Sequence, residues 1–196
     1  MAGASVGYNV IEAGVAISAG TVSGSVALVG FGLDSVVEVA SGLIILWQFR
    51  HPLPETRERR ALRLIALSFF GLAAYVTLES VRALVARSSP DESAIGIGLA
   101  IASLLVMPVL STAQRRTGRA LGSNAVVADG TQTLLCTYLS AVLLVGLVLN
   151  ATVGWFWADS VAGLVIAAVA AREGVQAWRG EGCCAPAAES CDCPNC

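Results

Sequence analysis

The sequence predicts an all-α membrane protein: a bundle of six transmembrane helices followed by a short cysteine-rich tail. Three observations carry this. The chain is 56% hydrophobic and only 13% charged, where a soluble domain averages roughly 25% charged residues. Its apolar residues gather into six runs, each near or beyond the roughly 20 residues that cross a bilayer as a helix. Its arginines collect in alternate loops. Mean hydropathy is +0.73, and 20 glycines suit the close approach of membrane helices.

The runs cover about 4–23, 26–48, 62–86, 94–114, 123–149 and 157–178. The first is the least apolar, with Gly, Ser and Thr throughout and Glu12 inside it. No basic residue precedes it, so it lacks the n-region of a cleavable signal peptide and is expected to stay as a helix. The connecting segments RHPLPETRERRALR, RSSPDES, QRRTGR and NATVGW are too short for a soluble domain. The expected organisation is one six-helix membrane domain over 1–180 and a tail over 181–196.

Arginine sets the expected topology. Every basic residue is Arg. The segments after the second and fourth runs hold Arg50, Arg57, Arg59, Arg60, Arg63, Arg115, Arg116 and Arg119, and the end of the sixth adds Arg172 and Arg179. The opposite side has Arg82 and Arg87. The positive-inside rule then places both termini in the cytoplasm, as in a multi-pass protein of a bacterial-type plasma membrane. Trp155 and Trp157 fit the outer interface, Trp47 and Trp178 the inner one.

Ionisable residues inside membrane segments are costly and mark function by default. Asp34 and Glu38 lie four apart in the second run, so both carboxylates share one helix face. Asp129, Gln132 and Cys136 lie i, i+3, i+7 in the fifth run and share a face. The first run holds Asn9 and Glu12, and the sixth opens with Asp159. Should the second and fifth helices touch, Asp34, Glu38, Gln132 and Cys136 converge on one ion. Two carboxylates, an amide oxygen and a thiolate suit a divalent transition metal, and the thiolate favours Zn or Cd over Mg or Ca.

Plainer readings stand beside these. Asp34 and Glu38 would serve structure by bonding Ser or Asn on neighbouring helices. Cys136 would be a small core residue, and Gln132 an interhelical tie. Glu12 is open between a proton relay, an access-path acid and a helix partner. Asp129 lines the pathway or holds a nearby Asn or Ser. Asp159 caps its own helix. Glu79 has a local partner in Arg82 at i+3.

These motifs resemble the transmembrane domain of the cation diffusion facilitator family of metal exporters. The likeness covers about residues 5–178. The family's second helix carries an Asp-x-x-x-Asp pair, filled here by Asp34-Ser-Val-Val-Glu38. Its fifth helix reads Ala-Asp-x-x-His-x-x-x-Asp, filled by Ala128-Asp129-Gly-Thr-Gln132-Thr-Leu-Leu-Cys136. Its Trp-x-Ala-Asp-Pro pattern is met by Trp155-Phe-Trp157-Ala158-Asp159, with Ser160 in place of Pro. The resemblance implies a cation-diffusion-facilitator-like bundle, a transport site of Asp34, Glu38, Gln132 and Cys136, and a homodimer. Asp129 and Glu12 join it as pathway residues. Glu38, Gln132 and Cys136 depart from the usual Asp, His and Asp, so the metal is open. Zn or Cd comes first, ahead of Co, Mn, Fe, Ni or Cu. Without the His, proton exchange falls to the carboxylates, Cys136 or Glu12. The family's cytoplasmic metal-binding and dimerising domain has no expected counterpart in the roughly 18 residues after the sixth run.

The tail holds Cys183, Cys184, Cys191, Cys193 and Cys196. On the cytoplasmic side, thiols this dense argue for metal capture rather than disulfides. Its length and its Gly, Ala, Pro and Ser content predict no ordered fold without metal. No P-loop, G-x-G-x-x-G, H-E-x-x-H or G-x-S-x-G is present, so neither an enzyme nor a nucleotide-driven pump is expected, and no cofactor. The Arg clusters flank helices without an aromatic platform, which excludes nucleic acid. The expected function is secondary export of a divalent metal from the cytoplasm in exchange for protons. The rival is a membrane metal sensor that binds through its tail and moves nothing.

Overall fold

The computed structural model describes residues 2–49, 55–87, 90–120 and 124–179. These residues form six helices: α1 (Ala2–Ser23), α2 (Val26–Phe49), α3 (Glu55–Ala86), α4 (Ala94–Ala120), α5 (Asn124–Val153) and α6 (Phe156–Arg179). Each coincides with one apolar run. α3 starts seven residues before its run and α4 ends six after, because helical hydrogen bonding continues through the polar residues that flank an apolar span.

Among the described residues, four stretches are long and apolar enough to cross a membrane: Val26–Leu43, Leu62–Ala86, Ala94–Thr117 and Thr133–Val153. α1 and α6 are not among them. α1 carries Asn9 and Glu12, and α6 carries Asp159, Arg172 and Glu173. The bundle is nonetheless inverted in polarity relative to a soluble protein. Ile11, Leu105 and Val109 point outward and are each 68% exposed. Asn9, Glu12, Asp34, Ser103 and Asp159 are buried. Apolar outside and polar inside is the arrangement a bilayer demands, since hydrocarbon offers no hydrogen bonds.

α2 is the central helix, packing against α1, α3, α5 and α6. It contributes to both hydrophobic clusters. In one, Leu28 and Phe31 meet Ala16, Leu143 and Ile166. In the other, Val37 meets Phe69, Val76 and Ala170. α3 packs along α6, and α4 along α5. Gly32 sets the α1–α2 spacing: a Cβ there would lie 2.8–3.0 Å from Ile17 and Ala16. Only glycine lets α1 approach this closely.

The α1–α2 turn is closed from three directions. Gly24 takes φ +70°, and Ser25 N–H reaches Gly20 O at 3.0 Å. This is the C-terminal lock in which glycine adopts the left-handed conformation that other residues resist. Ser25 then caps α2, its Oγ accepting Leu28 N–H at 3.1 Å. Asp159, at the start of α6, completes the end. Its Oδ1 takes the Ser25 hydroxyl at 2.5 Å, and its Oδ2 takes Val26 N–H at 2.9 Å and Ala27 N–H at 3.4 Å. The expectation that Asp159 caps its own helix is therefore corrected: it caps α2. Three donors and the positive end of the α2 dipole outcompete anything α6 offers it. Glu79 pairs with Arg82 at 2.7 Å, as the spacing predicted.

Other bonds tie the same end of the bundle. Asp91 N–H reaches Ser23 O at 2.8 Å, and Asn150 Nδ2 reaches Pro90 O at 3.0 Å. Trp155 and Trp157 stack there, with ring centroids 5.1 Å apart.

Two outcomes follow for stability in detergent. Asp159→Ala leaves the α2 N-terminus without its carboxylate and should destabilise the bundle by about 1–2 kcal/mol. Gly32→Ala should cost about 1–3 kcal/mol through overpacking against Ile17 and Ala16. Both are read as a lower midpoint of thermal unfolding, and an unchanged midpoint would refute the corresponding contact.

Candidate functional site

Asp34 and Glu38 stand one turn apart on α2, and Cys136 faces them from α5. The Cys136 thiol lies 3.4 Å from Asp34 Oδ2 and 2.8 Å from Glu38 Oε1. A thiol has one hydrogen, so it is shared between the two carboxylates. Asp34 and Cys136 are 4% and 2% exposed, and Glu38 is half-buried. A third helix enters here. Asn9 of α1 donates its Nδ2 to Glu38 Oε2 at 2.8 Å. The Glu38 carboxylate is thus held on one oxygen by α1 and on the other by α5.

Local sequence allows this approach. Ser140 turns its hydroxyl back onto Cys136 O at 2.7 Å, and Ser41 does the same onto Val37 O at 2.8 Å. Both satisfy themselves within their own helix and leave the acids to reach across. On α1, Asn9, Glu12 and Ala16 are all buried and follow helical spacing, so one face of α1 presents its polar residues to α2.

Glu12 sits in a separate nest. It is 1% exposed. One oxygen accepts the Ser35 hydroxyl at 2.8 Å, and the other accepts the Ser103 hydroxyl of α4. Tyr8 OH lies 3.0 Å from Ser103 Oγ. Ser35 is the residue after Asp34, so the two buried acid groups are neighbours along α2 without sharing a direct bond.

Charge decides what this interior can do. An uncompensated buried ion costs several kcal/mol. The partners of Asp34 and Glu12 among the described residues are a thiol and hydroxyls, with no arginine. Several acids placed together in this way are electrically balanced only when protons or a cation occupy them. As they stand, no three His, Cys, Asp or Glu among the described residues are set out to hold a metal ion. The thiol itself fills the space between the two carboxylates, closing the group with hydrogen bonds.

Of the residues singled out from sequence, Asp34, Glu38 and Cys136 come together, and Glu12 lies beside them. The side chains of Asp129 and Gln132 lie outside the described residues, although α5 carries both and places Gln132 one turn before Cys136. The tail, with Cys183, Cys184, Cys191, Cys193 and Cys196, lies outside them as well. The sequence reading names Asn9 and allows the acid pair an Asn or Ser partner on a neighbouring helix, as the Asn9–Glu38 bond supplies, but it does not single out Ser35 or Ser103. The i, i+3 spacing of Asn9 and Glu12 was the available signal for Asn9. Nothing local marks Ser35 or Ser103 as partners of an acid on another helix. Asn9 Oδ1 is also buried without a hydrogen-bond partner among the described residues, which costs about 1–3 kcal/mol.

Known proteins give this geometry a context. Residues 63–179 match the cation efflux transmembrane domain. A protein of Synechocystis named as an uncharacterized transporter is 26% identical over 165 residues, covering 79% of this chain and 53% of that protein. Proteins named cation-efflux pump FieF from Salmonella arizonae and Salmonella newport are each 29% identical over 158 residues, covering 74% of this chain and 51% of theirs. The chain spans about half the length of these relatives. The domain match takes in more than half of the chain, which therefore belongs to the cation efflux transmembrane domain family, a family of transporters and not of enzymes.

Proposed function

We propose that this chain is a secondary transporter that moves a divalent transition metal cation out of the cytoplasm in exchange for protons. The observation that carries the reading is the buried Cys136 thiol, set against both Asp34 and Glu38 across the α2–α5 interface. The relatives named as cation-efflux pumps support the direction of transport.

The proposed ligands are Asp34, Glu38, Gln132 and Cys136. The cation displaces the shared thiol proton, and the thiolate and two carboxylates become its donors. Protons arriving from the other side compete for the same atoms and release it. Depth in the membrane suits this role. Ser25 caps the start of α2, and Asp34 lies nine residues on, about 14 Å at 1.5 Å per residue. Glu38 is about 6 Å further. The pair therefore straddles the centre of a hydrocarbon core about 30 Å thick, where alternating-access carriers hold their cargo.

The remaining parts of the reading rest on the sequence. Six spans with the Arg-rich ends inside put both termini in the cytoplasm of a bacterial-type plasma membrane. The protein works as a homodimer. Asp129 and Glu12 line the approach to the site. The tail cysteines capture metal at the cytoplasmic face and hand it inward. Zn and Cd fit the mixed sulfur and oxygen donors.

Flux into proteoliposomes with an imposed pH gradient tests the proposal, with Zn, Cd, Co, Mn and Cu(I) compared. Asp34→Ala should lower metal flux by more than about 100-fold, beyond the 10–100-fold typical of residues one shell further from a metal. It should leave helical content unchanged. Flux equal to the parent would overturn the site. Cys136→Ser replaces a soft donor with a hard one and should lower Cd flux relative to Mn by about tenfold or more. An identical metal ranking would show that Cys136 only packs.

A further inference from the structure

We infer that Asn9 of α1 is a further member of the cation site, holding Glu38 with its amide N–H and offering its carbonyl oxygen to the cation as a neutral donor. The inference rests on the transport-site reading and adds a helix and a residue to it.

Three observations lead there. Asn9 Nδ2 donates to Glu38 Oε2 at 2.8 Å. Asn9 is 5% exposed, and its Oδ1 has no hydrogen-bond partner among the described residues. Oδ1 and Nδ2 share one carbon, so Oδ1 lies within about 5 Å of Glu38 Oε2 whatever the rotation of the amide. A strong acceptor is thus buried beside the acid pair, and no described residue donates to it.

The division of labour at Glu38 follows from the contacts. Asn9 holds Oε2, and the shared thiol hydrogen holds Oε1. When that hydrogen leaves, Oε1 loses the thiol contact while Asn9 still holds Oε2. The carboxylate then meets the cation in a set orientation and through one chosen oxygen. An amide oxygen adds a donor without adding charge. That matters in a site already holding two carboxylates and a thiol, where a further anion would be repelled. It also adds hardness to a site softened by sulfur, which favours Mn or Zn relative to Cd. Placement of Asn9 is secured by the same close α1–α2 contact that requires glycine at position 32.

The test uses the full chain in proteoliposomes, comparing the parent, Asn9→Leu, Asn9→Asp and Asp34→Ala with Mn, Zn and Cd. Asn9→Leu keeps the volume and removes both amide atoms. It should raise KM by about 10–100-fold, more for Mn and Zn than for Cd, with thermal stability retained. Asn9→Asp keeps an oxygen donor but loses the amide N–H and adds a charge, so its KM for Mn and Zn should lie between those of the parent and Asn9→Leu. Parent-like KM and metal ranking in Asn9→Leu would overturn the inference. So would equal losses in Asn9→Leu and Asn9→Asp, which would leave Asn9 as a hydrogen-bond donor only. Asp34→Ala separates the two levels. If it transports like the parent, the transport site itself is wrong. If it is inactive while Asn9→Leu is parent-like, only the role of Asn9 falls.

Discussion

Carboxylates that cannot face hydrocarbon must each find a partner on another helix, and in this protein those partnerships decide which helices meet. Asp159 of α6 bonds the start of α2. Glu12 of α1 bonds Ser35 of α2 and Ser103 of α4. Glu38 of α2 bonds Asn9 of α1 and Cys136 of α5. Taken together, these three acids tie α2 to α1, α5 and α6, with α4 joined through Glu12 of α1, while α3 meets α2 through Val37, Phe69 and Val76. Apolar packing alone would not choose this arrangement, because lipid satisfies an apolar face as well as another helix does. The polar contacts supply the specificity, and the small residues along α1 and α2 permit the distances.

Much of this was legible from composition and spacing. Apolar runs gave all six helices, and the Asp34–Glu38 and Gln132–Cys136 spacings put each pair on one face of its helix; that α2 and α5 meet at Cys136 comes from the fold. What remained hidden shares one property. The partner of Asp159 is 134 residues away, and the partners of Asn9 and Glu12 are 23 to 91 residues away. A local pattern assigns an acid at a helix start to its own helix, which is the commoner arrangement. Only the fold reveals that the α1–α2 turn offers Asp159 a better set of donors. Helix ends were equally hard to place. The apolar run marks where the environment changes, whereas the helix stops where the backbone hydrogen bonds stop, as on α3 and α4.

The distribution of these ties along α2 bears on how a carrier of this design would work. At one end, Asp159 and Ser25 satisfy the first three amides of α2 and fasten it to α6, while the Gly24 turn fastens it to α1. That end is over-determined: no single break frees it. Nine residues on, the contacts change character. The Cys136 thiol contacts both Asp34 and Glu38, and the Asn9 amide holds the other oxygen of Glu38. On the proposed function, the two thiol bonds, which share one hydrogen, would be exchanged whenever a proton leaves or a cation enters. A rigid end and an exchangeable middle place the softest contacts of α2 where the proposed cargo sits. On the proposed function, cation entry would reorganise the α2–α5 interface at the cost of one thiol hydrogen rather than by unpacking the helix. Relative movement of α5 against the fixed α1–α2–α6 unit would separate Cys136 from its two carboxylates. Movement of α1 against α2 is opposed by Gly32, which leaves no slack between those helices. On this reasoning α2 with its acids is the stationary half of the site, and α5 with its thiol is the half that moves.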